Sequence, residues 1–196
     1  MLVHISTLIL AAGRGTRFDP TGAQLKLLAK LPDGRPVIRA VAEASAGLGG
    51  QTVVVCGVDH QAQISDALAD LDVKTVACPD ADAGMGASLK YGLNCTRPSL
   101  GWIVMLGDMP CVQASTIQAV ADALRDGALL ARPYLGEQPG HPVGISTKME
   151  DEFLRLPDDE GGACVFRKYA DRVVRIPSSD QGCVLDIDRP EDLDST

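Results

Sequence analysis

The stretch Leu8-Ile-Leu-Ala-Ala-Gly-Arg-Gly-Thr-Arg17 decides the fold class. It opens as an apolar run and ends abruptly in glycines. Such a run reads as a buried strand, and the glycines read as a tight turn at its carboxyl end. Gly13 and Gly15 permit positive φ and let backbone amides approach an anion closely. The segment lacks the Lys-Ser/Thr ending of a P-loop and the third glycine of a dinucleotide fingerprint. From the residues alone two readings stand side by side: a triphosphate cradle, or an ordinary turn carrying solvated arginines.

Charge around the turn bears on that choice. Arg14, Arg17, Lys26, Lys30, Arg35 and Arg39 are six of the 18 basic residues and fall within 26 positions, opposed there by Asp19 and Asp33. The whole chain carries a formal charge of −8, so this is a local positive patch on an acidic background. A small polyanion such as a triphosphate suits it. Nucleic acid does not, because a general polyanion binder needs the opposite overall sign and this chain is only 4% aromatic.

Outward from the turn, strand-like and helix-like segments alternate. Strands are expected at Thr7–Leu10, Thr52–Cys56, Lys74–Cys78, Trp102–Leu106 and Leu129–Pro133. Helices are expected at Arg35–Gly47, Gln61–Ala69, Gly86–Leu93 and Ser115–Arg125, the first with Val37, Ile38, Val41 and Ala44 on one face. This alternation predicts an α/β fold with a mostly parallel, doubly wound sheet, whose ligands sit beyond the carboxyl ends of the strands. Gly13, Gly57 and Asp108 fall at such ends. The second half is less regular, with a Pro- and Gly-rich loop at Gly136–Pro142 and an acidic, Gly-rich one at Asp158–Ala163.

The length of 196 residues fits one domain, taken here as residues 1–196. Six cysteines at irregular spacing form no Cys-x-x-Cys pair, which argues against structural zinc and for small buried side chains in a reducing compartment. The apolar segment from Met1 to Ala12 lacks a basic leading region, so it reads as the first buried strand and not a signal peptide. No apolar run approaches the roughly 20 residues of a membrane span. A cytoplasmic location is expected.

Five motifs in order carry a resemblance. Leu10-Ala-Ala-Gly-x-Gly-x-Arg17-Phe18 with Lys26-Leu27-Leu28 is followed by Gly84-Met-Gly-Ala-Ser-Leu-Lys-Tyr-Gly92. Then come Leu106-Gly-Asp-Met-Pro110, Gly140-His-Pro-Val143 and Asp186-Ile-Asp-Arg-Pro-Glu-Asp-Leu193. Together they resemble the MobA-like nucleotidyltransferases, nearest the molybdenum cofactor cytidylyltransferase branch, from about Leu8 to Leu193. The resemblance implies a Rossmann-like, three-layer α/β/α fold of the nucleotide-diphospho-sugar transferase type. It implies Mg²⁺ as cofactor and transfer of CMP from CTP to molybdopterin-bound molybdenum with release of pyrophosphate. A molybdoenzyme that receives the product is an implied partner. Ala-Ala-Gly, in place of the Ala-Gly-Gly common in guanylyl enzymes, leans toward cytosine. Two positions depart from the branch: Asp19 stands in place of a glycine, and Cys78 in place of an asparagine before Pro79.

The resemblance also distributes roles. Leu10, Ala11, Ala12, Gly13, Arg14, Gly15, Arg17 and Lys26 would bind the nucleotide, together with Pro79, Ser88 and Asp108. Lys26 would stabilise charge at the α-phosphate, and Arg14 and Arg17 would grip the outer phosphates. Asp108, at the end of a very apolar strand, reads as a metal ligand or as a turn aspartate. Asp186 and Asp188 are one residue apart and on a strand would point the same way. Asp188 matches the family's second metal ligand, with Asp186 a helper, and the capping of a helix at Pro190 is the alternative. Ser88 reads as a base or ribose contact or as a helix-start serine. Gly140 and His141 are expected to touch the acceptor, with His141 titrating near neutral pH.

Two rival functions remain open. One is a sibling transferase using GTP, or one acting on a sugar phosphate or alcohol phosphate. The other is a non-catalytic maturation chaperone for a molybdoenzyme.

Overall fold

Strand β1 (Ile5–Ala11) is the centre from which the sheet grows. In the computed structural model, which describes residues 4–98 and 100–195, the start of this strand expected at Met1 to Val3 lies outside the described residues. β1 pairs in parallel with β2 (Gly49–Gly57), and β2 in turn with β3 (Lys74–Cys78). On its other side β1 pairs in parallel with β4 (Gly101–Leu106). The sheet then reverses: β5 (Leu130–Leu135), the two-residue β6 (Gln138–Pro139) and β7 (Val143–Ser146) add antiparallel pairings. β8 (Val173–Ser178) returns parallel to β5. The order is β3-β2-β1-β4-β7-β5-β6, with β8 joined to β5.

Six helices among the described residues cover the sheet: α1 (Val37–Ala44), α2 (Gln61–Ala67), α3 (Met85–Asn94), α4 (Ala114–Arg125), α5 (Glu150–Leu154) and α6 (Ala163–Lys168). Alternation along β1 assigns them to layers. Ile5, Ile9 and Ala11 face one core, shared with Val41 of α1, Ile64 of α2 and Val120 of α4. Leu8 faces the opposite core, shared with Leu89 of α3, Phe153 of α5 and Phe166 of α6. A sheet buried on both faces needs near-continuous apolar strands, which Val53–Cys56 and Trp102–Met105 supply. The result is the three-layer α/β/α arrangement that the family resemblance implies, with the mostly parallel sheet that the alternation predicts.

Boundaries shift for local reasons. Pro36 has extended backbone and forms the amino-terminal boundary of α1, so the helix begins at Val37 and not at Arg35. It ends before Gly47, whose φ of 92° belongs to the left-handed region. β6 lies inside the expected Gly136–Pro142 loop, paired through Leu135–Gln138 and Tyr134–Pro139. α5, α6, β7 and β8 are too short or too interrupted to show a clear period in the sequence. Among the described residues no helix is long and apolar enough to cross a membrane.

Candidate active site

The carboxyl ends of β1 and β4 bring the glycine turn and Asp108 side by side. Leu10 and Leu106 are register partners, and the Gly107 amide donates to the Leu10 carbonyl at 2.8 Å. Past that pair the two chains diverge, as strand ends do when each must turn into a different connection. Of the two glycines that permit positive φ, Gly15 uses that freedom, at 62°. A Cβ on Gly15 would lie 3.3 Å from Lys26 Cβ, so this turn and the Lys26 segment are fitted closely together. Gly13 does not take a positive φ.

Lys26 is the hinge of the site. It starts a short 3-10 turn, is 8% exposed, and donates from Nζ to Asp108 Oδ2 at 2.7 Å. Its Nζ also lies 3.7 Å from Asp188 Oδ1. Arg17 pairs with the other oxygen of Asp188. A buried ammonium is tolerated when it is paired and hydrogen-bonded, and Asp108 provides that here. Arg14 instead reaches across to Asp82, 2.8 Å from Nε, at the mouth of the site. The remaining members of the basic patch face elsewhere. Arg35 pairs with Asp33 and Glu43, and Arg39 with Glu43 and Asp70. Three of the six basic residues therefore belong to the site and two to structural ion pairs. Lys30 lies at an isolated bridge to Pro36.

The second half of the acidic group arrives from the carboxyl-terminal segment. Ile187 is buried in the core and donates its amide to the Asp108 carbonyl at 2.8 Å. That bridge holds Asp186 and Asp188 on either side of a pinned residue. The segment is extended but belongs to no strand of the sheet. Asp108, Asp186 and Asp188 each offer a carboxylate oxygen, and the three oxygens lie within 4.8 Å of one another. The Asp186 carboxyl is pushed above its ordinary range, first by burial and then by the negative charge of Asp188 and Asp108. Crowded hard oxygens of this kind suit a divalent cation of the Mg²⁺ or Ca²⁺ class. Asp188 does not cap the following turn with its side chain. Asp192 does so, accepting from the amides of Asp188 and Arg189 at 2.8 and 2.7 Å.

Asp180, which the sequence did not single out, fastens this segment down. It is 4% exposed and accepts from the Gln113 amide at 2.9 Å and the Thr116 hydroxyl at 2.7 Å, at the start of α4. Its other oxygen accepts from the Gly182 amide at 2.9 Å. A Cβ on Gly182 would stand 2.0 Å from the Cys111 carbonyl oxygen, so only glycine allows this approach. A lone aspartate between Ser179 and Gln181 carries no periodicity or motif that would mark it in advance.

A cleft of about 300 Å³ opens beside the ion cluster, walled by Ala12, Gly13, Arg14, Gly84, Ser88 and Asp108. Ser88 is buried in the first turn of α3; among the described residues no side chain caps that helix, whose boundary residue is Gly84. Ser88 neighbours Cys78, whose thiol is raised chiefly by burial. A second groove of about 520 Å³ shares Arg14 and Asp82 and continues past Asp19, Gly57 and Pro79. Asp19, one of the two departures, has a structural duty. Its carboxylate accepts from the Thr21 amide and hydroxyl and from the Gln24 amide at 2.8, 2.7 and 2.7 Å, folding the loop that leads to Lys26. Ala11 lies in the core, while Leu10 and Ala12 reach the cleft.

His141 and Gly140 part company. Gly140 is buried against Cys183, donates to the Pro133 carbonyl at 2.8 Å, and does not line a cleft. His141 lines a small apolar pocket of about 100 Å³ that adjoins the first cleft through Leu10, Met85 and Leu106. Burial, and then the Arg132 guanidinium, drive its pKa down to about 4. The expected titration near neutral pH is therefore corrected: this imidazole is neutral at pH 7.

A sequence model of the MobA-like NTP transferase domain matches residues 7–173. The bifunctional protein GlmU of Burkholderia orbicola is 36% identical over 124 residues, 63% of this chain but 26% of that protein's length. The chain thus spans about a quarter of the length of the curated relatives it matches. A solved nucleotidyl transferase from Methanothermobacter superposes with a TM-score of 0.81 at 25% identity, covering 96% of this chain and 94% of that one. Rv0371c from Mycobacterium tuberculosis H37Rv does so with a TM-score of 0.80 at 25% identity over 100% of both chains. The latter has also been solved in complex with manganese.

Proposed function

The chain belongs to the MobA-like NTP transferase family, and from that premise we propose that it moves CMP from Mg²⁺–CTP to molybdopterin-bound molybdenum cofactor. The observation that carries this reading is the Lys26–Asp108–Asp188 ion cluster beside the Gly15 turn. It sets a buried cation and hard carboxylates at the carboxyl end of a parallel sheet, where such folds bind ligands.

The reaction joins an oxygen of the acceptor phosphate to the α-phosphorus and breaks the bond to the bridging β-phosphate oxygen. Pyrophosphate leaves with that electron pair. A phosphate monoester is already largely ionised near pH 7, so its attack needs no general base. The neutral His141 is accordingly assigned to acceptor contact, with Gly140 supporting it from behind. Catalysis of this kind rests on positioning and charge neutralisation. Lys26 stabilises charge on the α-phosphate, Arg17 and Arg14 hold the outer phosphates, and the Gly15 turn presents backbone amides. Asp108 and Asp188, with Asp186 beside them, would hold Mg²⁺, which when bound neutralises charge on the phosphates. Ser88 and Pro79 belong to the base and ribose end.

The test is pyrophosphate release from CTP, GTP, ATP and UTP, each with molybdopterin-bound molybdenum and with a sugar phosphate. CTP with the molybdenum acceptor should be turned over fastest. Preference for GTP, or for the sugar phosphate, would replace the substrate assignment, and no release from any pair would favour a maturation chaperone.

A further inference from the structure

Arg132 sits inside the sheet on β5, yet among the described residues it pairs with no carboxylate. Nε and Nη2 donate to the Gly140 carbonyl at 3.3 and 3.0 Å. Its guanidinium carbon lies 5.3 Å from the Phe166 ring centroid and 6.0 Å from that of Tyr134. Partial burial lowers its pKa from the usual value. Contacts with one carbonyl and two ring faces leave a desolvated cation without a counter-charge, an expensive arrangement unless a ligand supplies one.

The same pocket holds a second unsatisfied group. The Nδ1 of His141 is buried and has no hydrogen-bond partner among the described residues. Native proteins seldom leave such atoms unpaired, and those that do so at a cleft point to an absent partner. The other walls are apolar: Leu89, Val143, Ile145 and Phe153, with Phe166 under the guanidinium. The pocket runs from the first cleft, where Asp108 stands, inward to Arg132.

We propose that this pocket seats the body of the acceptor, and that Arg132 there receives a second anionic oxygen, separate from the attacking phosphate, while His141 Nδ1 makes a neutral hydrogen bond beside it. The assignment of the ligand as acceptor rests on the nucleotidyl-transfer reading above. The chemical class follows from the walls. Apolar surface around one cation and one neutral polar atom selects a phosphate monoester whose body bears one further negative charge and few hydroxyls. A neutral polyhydroxylated sugar would leave Arg132 unbalanced and its own hydroxyls unpaired.

Binding and turnover test this separately. With the protein saturated by Mg²⁺ and the non-hydrolysable α,β-methylene analogue of CTP, sulfate and acetate are titrated while the Arg132 Nε and His141 ring signals are followed by NMR. In the wild type one of the two anions should shift both signals saturably. The His141 signal should still respond in Arg132→Lys and should not in Arg132→Met. A preference for sulfate marks an oxyanion on the acceptor, and one for acetate marks a carboxylate. No saturable shift in the wild type, or an equal His141 shift in Arg132→Met, would overturn the proposal. In turnover, Arg132→Met should raise the acceptor KM about tenfold or more while leaving the CTP KM unchanged. Arg132→Lys should recover part of that loss, and an unchanged acceptor KM in Arg132→Met also counts against the proposal. A wild type that binds the anion through Arg132 yet releases no pyrophosphate would overturn the transferase reading and leave the anion site standing.

Discussion

Lys26 makes two contacts that no sequence pattern states together. Its place after the glycine turn is legible from the motif. Its hydrogen bond to Asp108, 82 positions away, is a product of topology alone. In the free protein the cations that would hold phosphate neutralise the carboxylates that would hold metal, so nucleotide and metal together must replace these pairs. Lys26→Met should reduce turnover about 100-fold or more, the scale of losing one preorganised charge contact. Steady-state kinetics checks this, and a fall in kcat larger than the rise in the CTP KM is the expected signature. His141 teaches the opposite lesson. The sequence marks a histidine in a turn-rich loop and suggests a group that titrates near neutral pH, but tertiary packing encloses its Nδ1. Its folded pKa of about 4 lies below the unfolded value of about 6.5. The unfolded chain therefore binds the extra proton first, and this contribution to stability is present above pH 6.5 and lost as pH falls toward 4. Thermal unfolding followed across that window should show a decline that is smaller in His141→Asn.

At the scale of elements, the first half of the chain was readable because β1, β2 and β4 are apolar runs that end at or near a glycine, and β3 is stopped by Pro79. β1, β2, β3 and β4 all fall where those runs stand, and α1 is shorter than expected by two residues at its start, at Pro36, and by three at its end, before and including Gly47. The second half was not readable in the same way. α5 and α6 have five and six residues, too few to display a helical period. β8 has mostly half-buried or exposed positions, so its alternation is faint. The carboxyl-terminal segment is neither helix nor strand near Asp186–Asp188, and its position depends on three anchors: Asp180 at α4, Ile187 at Asp108, and Gly182 against Cys111. The motif announced the carboxylates but not the anchors. Gly182→Ala should push the segment from Cys111, costing about 1–3 kcal/mol in stability as overpacking does. It should also lower turnover by moving Asp188 from Lys26. Denaturant melts and pyrophosphate release measured on the same variant check both effects.

Over the whole molecule, the sheet order determines which residues can meet. β1 lies between β2 and β4, so the glycine turn, the second groove and Asp108 share one end of the sheet. The antiparallel β7 and β5 then extend the floor to Arg132 and His141. The general placement of the site was legible from the β-α alternation, because ligands in such sheets gather beyond the carboxyl ends. The proposed division into a phosphate end, a base end and an apolar acceptor end was not, since it depends on which side chains the two cores leave outward. On the proposed function, these parts perform nucleotidyl transfer at the Lys26–Asp108–Asp188 cluster. Its most direct test is Mg²⁺-dependent pyrophosphate release from CTP with molybdopterin-bound molybdenum, wild type against Asp108→Asn. The wild type should release pyrophosphate robustly, with a fall of about 100-fold or more in the variant, where a neutral amide oxygen replaces the carboxylate and binds the cation more weakly. Equal release by both proteins would contradict the proposed function.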